Sequence, residues 1–120
     1  MMKTAYDLRI RKGDIFYADL GDTVGAEQNG VRPVLVVQND LGNFYSSTLI
    51  VAPLTTHAKK MTQPTHVEIG ERFGLRGKSV ALLEQIRTID RSRLLEYIGR
   101  ADKVALNEIN AALRISLDLD

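Results

Sequence analysis

The stretch PVLVVQN, residues 33–39, carries the strongest structural signal in this chain of 120 residues. Its near-continuous run of β-branched and other apolar residues is typical of a strand buried on both faces. Residues 21–30, just before it, contain three glycines and predict a loop. Residues 39–43, NDLGN, have the composition of a turn. We therefore expect one central buried strand that is entered through a loop and left through a turn.

Further strands are predicted on both sides of this central strand. They are short, rich in β-branched and aromatic residues, and bounded by glycine or polar turns. We place them at residues 14–20, 48–52, 65–69, 79–83 and 85–89. A short helical turn is expected to follow, from Asp90 to Leu94.

The last part of the chain changes period. After Asp102, a suitable N-cap, apolar residues recur every three or four positions, at Leu106, Ile109, Leu113 and Leu117. This spacing predicts one amphipathic helix packed on the strands. The fold class is therefore mainly β with a C-terminal helix (α+β), arranged as a small, partly open β-barrel.

Length and composition favour one domain. We assign residues 1–8 to a variable N-terminal lead and residues 9–120 to a single domain. The chain has no cysteine, which excludes a disulfide scaffold, a thiolate metal site and a cysteine nucleophile. No apolar run approaches the roughly 20 residues of a membrane span, and the N-terminus lacks an apolar signal segment. We therefore expect a small cytoplasmic protein with no membrane partner.

Metal and hydrolase motifs are missing from the sequence. His57 and His66 are the only histidines, and neither lies in a cluster with metal-ligand spacing, so we expect no metal and no cofactor. Neither a nucleophile elbow nor a phosphate-binding glycine loop occurs. Residues 57–78 do hold five basic and two acidic side chains, a local excess that suits a phosphate chain. The basic residues are Lys59, Lys60, Arg72, Arg76 and Lys78.

One arginine is placed to meet a phosphate. The loop segment GAEQNGVRP, residues 25–33, delivers Arg32 directly before Pro33 and the buried strand. Because proline restricts the residue before it, Arg32 is expected to be extended. A guanidinium at the mouth of a strand can donate two parallel hydrogen bonds to a phosphate. The residues alone leave open a surface ion pair between Arg32 and Glu27.

Several ordered segments resemble the MazF/PemK family of toxin endoribonucleases. They are RKGDIFYADL at 11–20, GAEQ at 25–28, RPVLVVQND at 32–40, PTHVEI at 64–69 and LEQIRTID at 83–90. The resemblance covers about residues 9 to 119. It implies a PemK-like, SH3-like small β-barrel that forms a two-fold homodimer. One departure is Ala26, where close relatives usually have serine.

The resemblance also implies an activity. Such toxins cut single-stranded mRNA at short sequences without a metal, independently of the ribosome, and are neutralised by a cognate MazE-like antitoxin. DNA is contacted only indirectly, through the antitoxin complex. The family's catalytic residues fall on Arg32 and Thr55. We expect substrate contacts from residues of the RNA groove and from nearby amide, hydroxyl and aromatic side chains: Phe16, Glu27, Gln28, Asn39, Thr56, Glu84 and Gln85.

The chemistry of RNA suits these residue types. The 2′-OH can attack the adjacent phosphate and leave a 2′,3′-cyclic phosphate and a 5′-OH end. We expect Arg32 to stabilise the phosphorane, with the hydroxyl of Thr55 donating to a non-bridging oxygen. Because guanidinium stays protonated in proteins, a role for Arg32 as general base is the less natural alternative.

Two other functions fit the same barrel. One is a toxin that poisons DNA gyrase without being an enzyme, but those relatives depend on a C-terminal Trp-Gly-Ile tail. This chain has no tryptophan and ends LDLD. The other is a non-catalytic RNA-binding barrel, against which the presence of both Arg32 and Thr55 argues.

Overall fold

The computed structural model describes residues 9–58 and 63–120. The described residues form seven strands: β1 (Asp14–Asp19), β2 (Val31–Val36), β3 (Thr48–Thr55), β4 (His66–Gly70), β5 (Ser79–Leu82), β6 (Arg87–Asp90) and β7 (Leu94–Arg100). Two α-helices, α1 (Asp40–Tyr45) and α2 (Lys103–Ser116), and two 3-10 turns, Leu83–Gln85 and Arg91–Arg93, complete the elements. None of these helices is long and apolar enough to cross a membrane.

The strands form one antiparallel sheet in the order β4-β5-β3-β2-β1-β7, with β6 paired to β3. Strand β3 pairs with three neighbours, because its residues 48–51 pair with β6, residues 51–53 pair with β2, and residues 54–55 pair with β5. The terminal strands β4 and β7 do not pair with each other in the described chain, so the sheet is not closed. The predicted class, mainly β with a C-terminal helix in a partly open arrangement, is confirmed.

The core lies on both faces of β1, β2 and β3. On one face Leu35 and Ile15 belong to a cluster with helix α2, including Ile109. On the other face Val34 and Phe16 belong to a second cluster with β6 and β7. Because successive side chains of a strand alternate between faces, this double burial explains the continuous apolar run of β2.

Helix α2 begins where the sequence predicts. The carboxylate of Asp102 accepts a hydrogen bond from the backbone N–H of Ala105 at 2.9 Å. The buried face is centred on Ala105, Ile109 and Ala112, with Leu106 and Leu113 at its margins. The predicted place of Leu117 in this face is wrong. It lies after the end of the helix and is 51% exposed.

The structure differs from the local predictions at three places. Residues 40–45 form helix α1 rather than a turn, because the side chain of Asn39 caps the N–H of Gly42 at 2.8 Å. The strand predicted at 85–89 begins only at Arg87, after a 3-10 turn. Strand β7 was not predicted, because its side chains lack an alternating pattern of burial. Its register with β1 also shifts twice.

Candidate active site

A cleft of about 530 Å³ opens between the β1–β2 loop and the segment that follows β5. Glu27 and Gln28 line the loop side, and Glu84, Gln85 and Arg87 line the other side. Pro53 of β3 also lines it. The cleft therefore brings together four of the residues that the sequence assigns to substrate binding.

Gln85 ties the two walls of the cleft together. Its Oε1 accepts a hydrogen bond from the backbone N–H of Gln28 at 3.0 Å, and its Nε2 donates to the carbonyl of Ala26 at 3.2 Å. The side-chain Oε1 of Gln28 is buried without a hydrogen-bond partner in the described structure. Because an unpaired buried acceptor is costly, this oxygen is suited to accept a donor from a bound ligand.

The β1–β2 loop is also braced from within. The carboxylate of Glu27 accepts a hydrogen bond from the N–H of Val24 at 2.8 Å, and the hydroxyl of Thr23 donates to the carbonyl of Glu27 at 2.9 Å. No ion pair joins Glu27 to Arg32 among the described residues. The alternative reading of Arg32 as half of a surface ion pair is therefore not supported.

Arg32 lies in the half-buried second position of β2, opposite Ala18 of β1. Its Nε donates to the carbonyl of Asn29 at 2.8 Å, so one edge of the guanidinium is fixed by the loop. No carboxylate of the described chain lies within ion-pair distance of it. The terminal nitrogens are thus available for an anionic ligand.

Thr55 ends β3 and is only 5% exposed. Its hydroxyl oxygen accepts a hydrogen bond from the backbone N–H of His57 at 3.1 Å, which leaves the O–H proton able to donate. Strands β2 and β3 pair Val34 with Pro53. Arg32 lies two residues before Val34 in β2, and Thr55 lies two residues after Pro53 in β3, where β3 pairs with β5.

Glu84 has both carboxylate oxygens engaged. Oε1 accepts a hydrogen bond from the hydroxyl of Thr65 at 3.1 Å, and Oε2 lies 2.8 Å from Nε2 of His66. Both partners belong to the start of β4 or directly precede it. Glu84 is thus fixed on the cleft wall from the side opposite to the β1–β2 loop.

Two predicted contact residues lie elsewhere. Phe16 is completely buried and packs edge-to-face on Tyr97, with ring centroids 5.3 Å apart, so it cannot stack on an RNA base. That prediction is wrong because β1 is buried on both faces. Asn39 lies beyond the other end of β2 from Arg32, where it caps α1. Its contact with RNA stays a prediction.

Other predicted residues lie at the end of β3 or after it. Thr56 is exposed next to Thr55, and a Cβ added at Gly77 would lie 2.8 Å from its methyl group, so the 70–78 loop packs closely against it. His57 is exposed beside them. Lys59 and Lys60 lie outside the described residues. The described chain contains no group of acidic or histidine side chains that could hold a metal ion.

The sequence did not single out Arg87, which lines the cleft. Its Nη1 donates to the carbonyl of Leu20 at 3.3 Å and so joins β6 to the start of the β1–β2 loop. The guanidinium adds a positive charge to a wall that otherwise presents Glu84 and Gln85. Arg87 lies between Ile86 and Thr88, which is typical of an ordinary surface position in a strand, so no local pattern predicted its role.

Comparisons with known proteins agree on one family. Residues 11–117 match the model of the PemK-like, MazF-like toxin of type II toxin–antitoxin systems. The chain is 51% identical over 111 residues to the endoribonuclease EndoA of Bacillus subtilis, covering 92% of this chain and 96% of that protein.

Solved structures match in the same way. The MazF crystal structure from Deinococcus radiodurans superposes with a TM-score of 0.80 at 28% identity and covers 94% of this chain and 100% of that chain. An endoribonuclease in complex with its cognate antitoxin from a mycobacterial species gives a TM-score of 0.77 at 29% identity, over 92% and 97% of the two chains. This chain belongs to the PemK-like, MazF-like family of toxins of type II toxin–antitoxin systems.

Proposed function

We propose that this chain is the endoribonuclease toxin of a type II toxin–antitoxin pair, and that it cleaves single-stranded mRNA at short sequences without a metal ion or the ribosome. The observation that carries the proposal is that Arg32 and Thr55 each lie two residues beyond the Val34–Pro53 pair of β2 and β3, and that Pro53 lines a cleft together with amide and carboxylate side chains. The family and the endoribonuclease relative support the reaction class.

In the proposed reaction the substrate supplies its own nucleophile. The 2′-oxygen loses its proton and bonds to the adjacent phosphorus, the bond from phosphorus to O5′ breaks, and O5′ takes up a proton. The products are a 2′,3′-cyclic phosphate and a 5′-OH end. No metal is needed, because protein donors can stabilise the charge that gathers on the non-bridging oxygens.

Arg32 and Thr55 have separate tasks in this proposal. The free nitrogens of Arg32 donate to the phosphorane, while its Nε stays bonded to the carbonyl of Asn29 and keeps the fork oriented. The hydroxyl of Thr55 donates to a second oxygen, since the N–H of His57 occupies only an acceptor site of that hydroxyl. Arg32 acts as an electrostatic stabiliser and not as a base.

The cleft supplies the substrate contacts. Single-stranded RNA is read through the edges of unstacked bases. The unpaired Oε1 of Gln28 accepts from a base, and Glu27, Thr56, Glu84 and Gln85 supply further acceptors and donors around it. Such contacts favour particular bases, so cleavage at a short motif is expected.

The partners follow from the same assignment. We propose that the chain acts in the cytoplasm as a two-fold homodimer that a cognate MazE-like antitoxin inhibits. Complexes of MazE with MazF from Deinococcus radiodurans and of the mycobacterial endoribonuclease with its antitoxin support the antitoxin partner. Any DNA contact is made through that complex. Residues 9–120 form the toxin domain, and residues 1–8 are a lead outside it.

The proposal is tested by incubating the purified chain with a long single-stranded RNA in excess EDTA, with the Arg32→Ala variant beside it. Sequencing of the product ends should show discrete cuts at one short motif with 5′-OH termini, lost in the variant. A folded wild-type protein that binds RNA without cutting it would instead be a non-catalytic RNA-binding barrel. Inhibition of DNA gyrase without RNA cleavage would establish a gyrase-poisoning toxin instead.

A further inference from the structure

His66 lies outside the set of residues that the proposed function uses, yet it contacts that set directly. Its side chain is 9% exposed, and its Nε2 lies 2.8 Å from Oε2 of Glu84. Glu84 itself is 30% exposed on the cleft side. The imidazole is therefore too enclosed to present a face to RNA, whereas the carboxylate that it contacts is open to the cleft.

The carboxylate is held at two points. The hydroxyl of Thr65 donates to Oε1 at 3.1 Å, while His66 engages Oε2. With a proton on Nε2, a neutral imidazole donates a hydrogen bond here, and a charged one forms an ion pair. Two partners fix the plane of the carboxylate, which limits the directions in which its remaining lone pairs can accept from a ligand.

The backbone around Glu84 is anchored to Thr65, directly before β4, and to the end of helix α2. The N–H of Leu83 donates to the carbonyl of Thr65 at 2.9 Å, and the hydroxyl of Ser116 donates to the carbonyl of Leu83 at 2.9 Å. Leu83 is completely buried. The 3-10 turn is therefore held by hydrogen bonds that do not involve the imidazole.

We propose that His66 is a positioning residue for substrate binding, which acts by holding the carboxylate of Glu84 in the orientation that accepts from RNA. This rests on the proposed function. A fixed acceptor binds its ligand more tightly than a mobile one, because less conformational entropy is lost when the ligand binds. We expect the effect on substrate affinity and not on kcat, since Glu84 lines the cleft. In the proposed function it is Arg32 that stabilises the charge on the reacting phosphate.

The test measures kcat, KM and Kd for one RNA that contains a mapped cleavage motif, with a 2′-deoxy form of the same RNA for the binding measurement. Because a hydrogen bond to a charged group is at stake, His66→Ala should raise KM and Kd roughly tenfold and leave kcat within about twofold. His66→Gln, which keeps a side-chain N–H donor, should recover part of the affinity. Glu68→Ala, an exposed carboxylate on the same strand, is the matched control and should change neither constant.

A double-mutant cycle separates positioning from a general structural role. If His66 acts through Glu84, then His66→Ala combined with Glu84→Ala should bind no more weakly than Glu84→Ala alone. Additive losses, or an unchanged Kd in a folded His66→Ala variant, would overturn the positioning role. Thermal unfolding of each variant identifies the folded ones.

The same experiment keeps the two proposals apart. A wild-type protein that binds RNA without cutting it would overturn the proposed enzyme, while the Kd comparison would still decide the role of His66. Efficient cleavage with no coupling between His66 and Glu84 would leave the enzyme standing and overturn the positioning role. Failure of the wild type to bind RNA would overturn both.

Discussion

One edge of the Arg32 guanidinium is fixed by a hydrogen bond, and the other edge is free to bind an anion. Its Nε is bonded to the carbonyl of Asn29, and its position in β2 is set by pairing with Ala18. A lysine at this position would carry the same charge but only a single-point donor on a flexible stem. The geometry of the fork, and not charge alone, is therefore the property that the proposed chemistry requires.

We expect Arg32→Lys to lower kcat on the order of 10²–10³-fold, the usual cost of losing one oriented donor to a developing oxyanion. Single-turnover cleavage of a defined RNA measures this loss directly. Near-normal turnover in the lysine variant would show that positive charge alone is sufficient. Because the Arg32 side chain is only half-buried, the Arg32→Lys and Arg32→Ala variants should unfold at about the wild-type temperature.

Thr55→Val keeps the β-branched shape that suits β3 and removes the hydroxyl. We expect kcat to fall by roughly one to two orders of magnitude, since one donor to the phosphorane is lost. Stability should fall by about 1 kcal/mol, because the N–H of His57 loses its acceptor. Thr55→Ser is the control, and it should retain most of the activity. Full activity in the valine variant would remove Thr55 from the mechanism.

The limits of sequence reasoning are clearest at the residue scale. Arg32 is marked by its place before Pro33, and Asp102 by its place before an apolar period. Gln85 and Gln28 are 57 positions apart in sequence, and Glu84 and His66 are 18 apart. Contacts over such distances depend on the strand pairing, which no local pattern determines. Phe16 was misassigned because the alternation of β1 could not show that both of its faces are covered.

At the scale of elements, the 70–78 loop is held against β7 by a close backbone approach. Gly99 packs directly against the carbonyl of Phe73, and Gly74 lies against the carbonyl of Ile98, where an added Cβ would be only 2.6 Å away. Neither contact leaves space for a side chain. Gly74 of the loop and Gly99 of β7 thus fix the position of a loop that carries basic side chains near Thr56.

We expect Gly99→Ala to destabilise the protein by about 1–3 kcal/mol, because the methyl group would force the loop away from β7. Gly42→Ala is the matched control. Gly42 lies in helix α1, and the nearest atoms to an added methyl group belong to the side chain of Gln38 and not to the backbone. Stability should therefore change by less than about 1 kcal/mol. Urea unfolding measures both. Equal stabilities would show that the loop yields without cost.

A buried carboxylate at the start of β1 gives stability a pH dependence. Asp14 is 4% exposed, and burial raises the pKa of its carboxyl above the ordinary value, although the N–H of Arg11 and the charges of Arg11 and Arg100 oppose this. The folded state thus holds this proton more tightly than the unfolded state does. Its contribution to stability is greatest below the unfolded pKa and is lost as the pH rises through the folded pKa.

The stability of the wild type relative to Asp14→Asn should therefore decline as the pH rises from the ordinary carboxyl pKa of 3.8 towards neutrality. Asp90 has the opposite sign, because hydrogen bonds from Ser92 lower the pKa of its carboxyl. Since Asp90 is present in both proteins, its effect cancels in the difference. Urea unfolding at a series of pH values measures that difference. A constant difference across this range would contradict the shift at Asp14.

At the scale of the whole molecule, the class of fold could be predicted because short strands and one amphipathic helix leave few arrangements. The loop at 21–30 and helix α2 were visible in the sequence and are confirmed, while the central strand predicted at residues 33–39 forms at Val31–Val36. Strand β7 was not visible in the sequence, since residues 95–97 are all exposed and do not alternate between buried and exposed positions. The branching of β3 to three neighbours was equally hidden, because it depends on how the sheet bends.

The most direct test of the central claim changes a single atom of the substrate. A defined RNA containing one mapped cleavage motif is compared, in excess EDTA, with the same RNA carrying a 2′-deoxy sugar on the 5′ side of the cleaved bond. If the 2′-OH is the nucleophile, the deoxy substrate should bind to the cleft but remain uncut, while the all-ribose substrate yields a 2′,3′-cyclic phosphate and a 5′-OH end. Cleavage of the deoxy substrate at that bond would contradict the proposed mechanism.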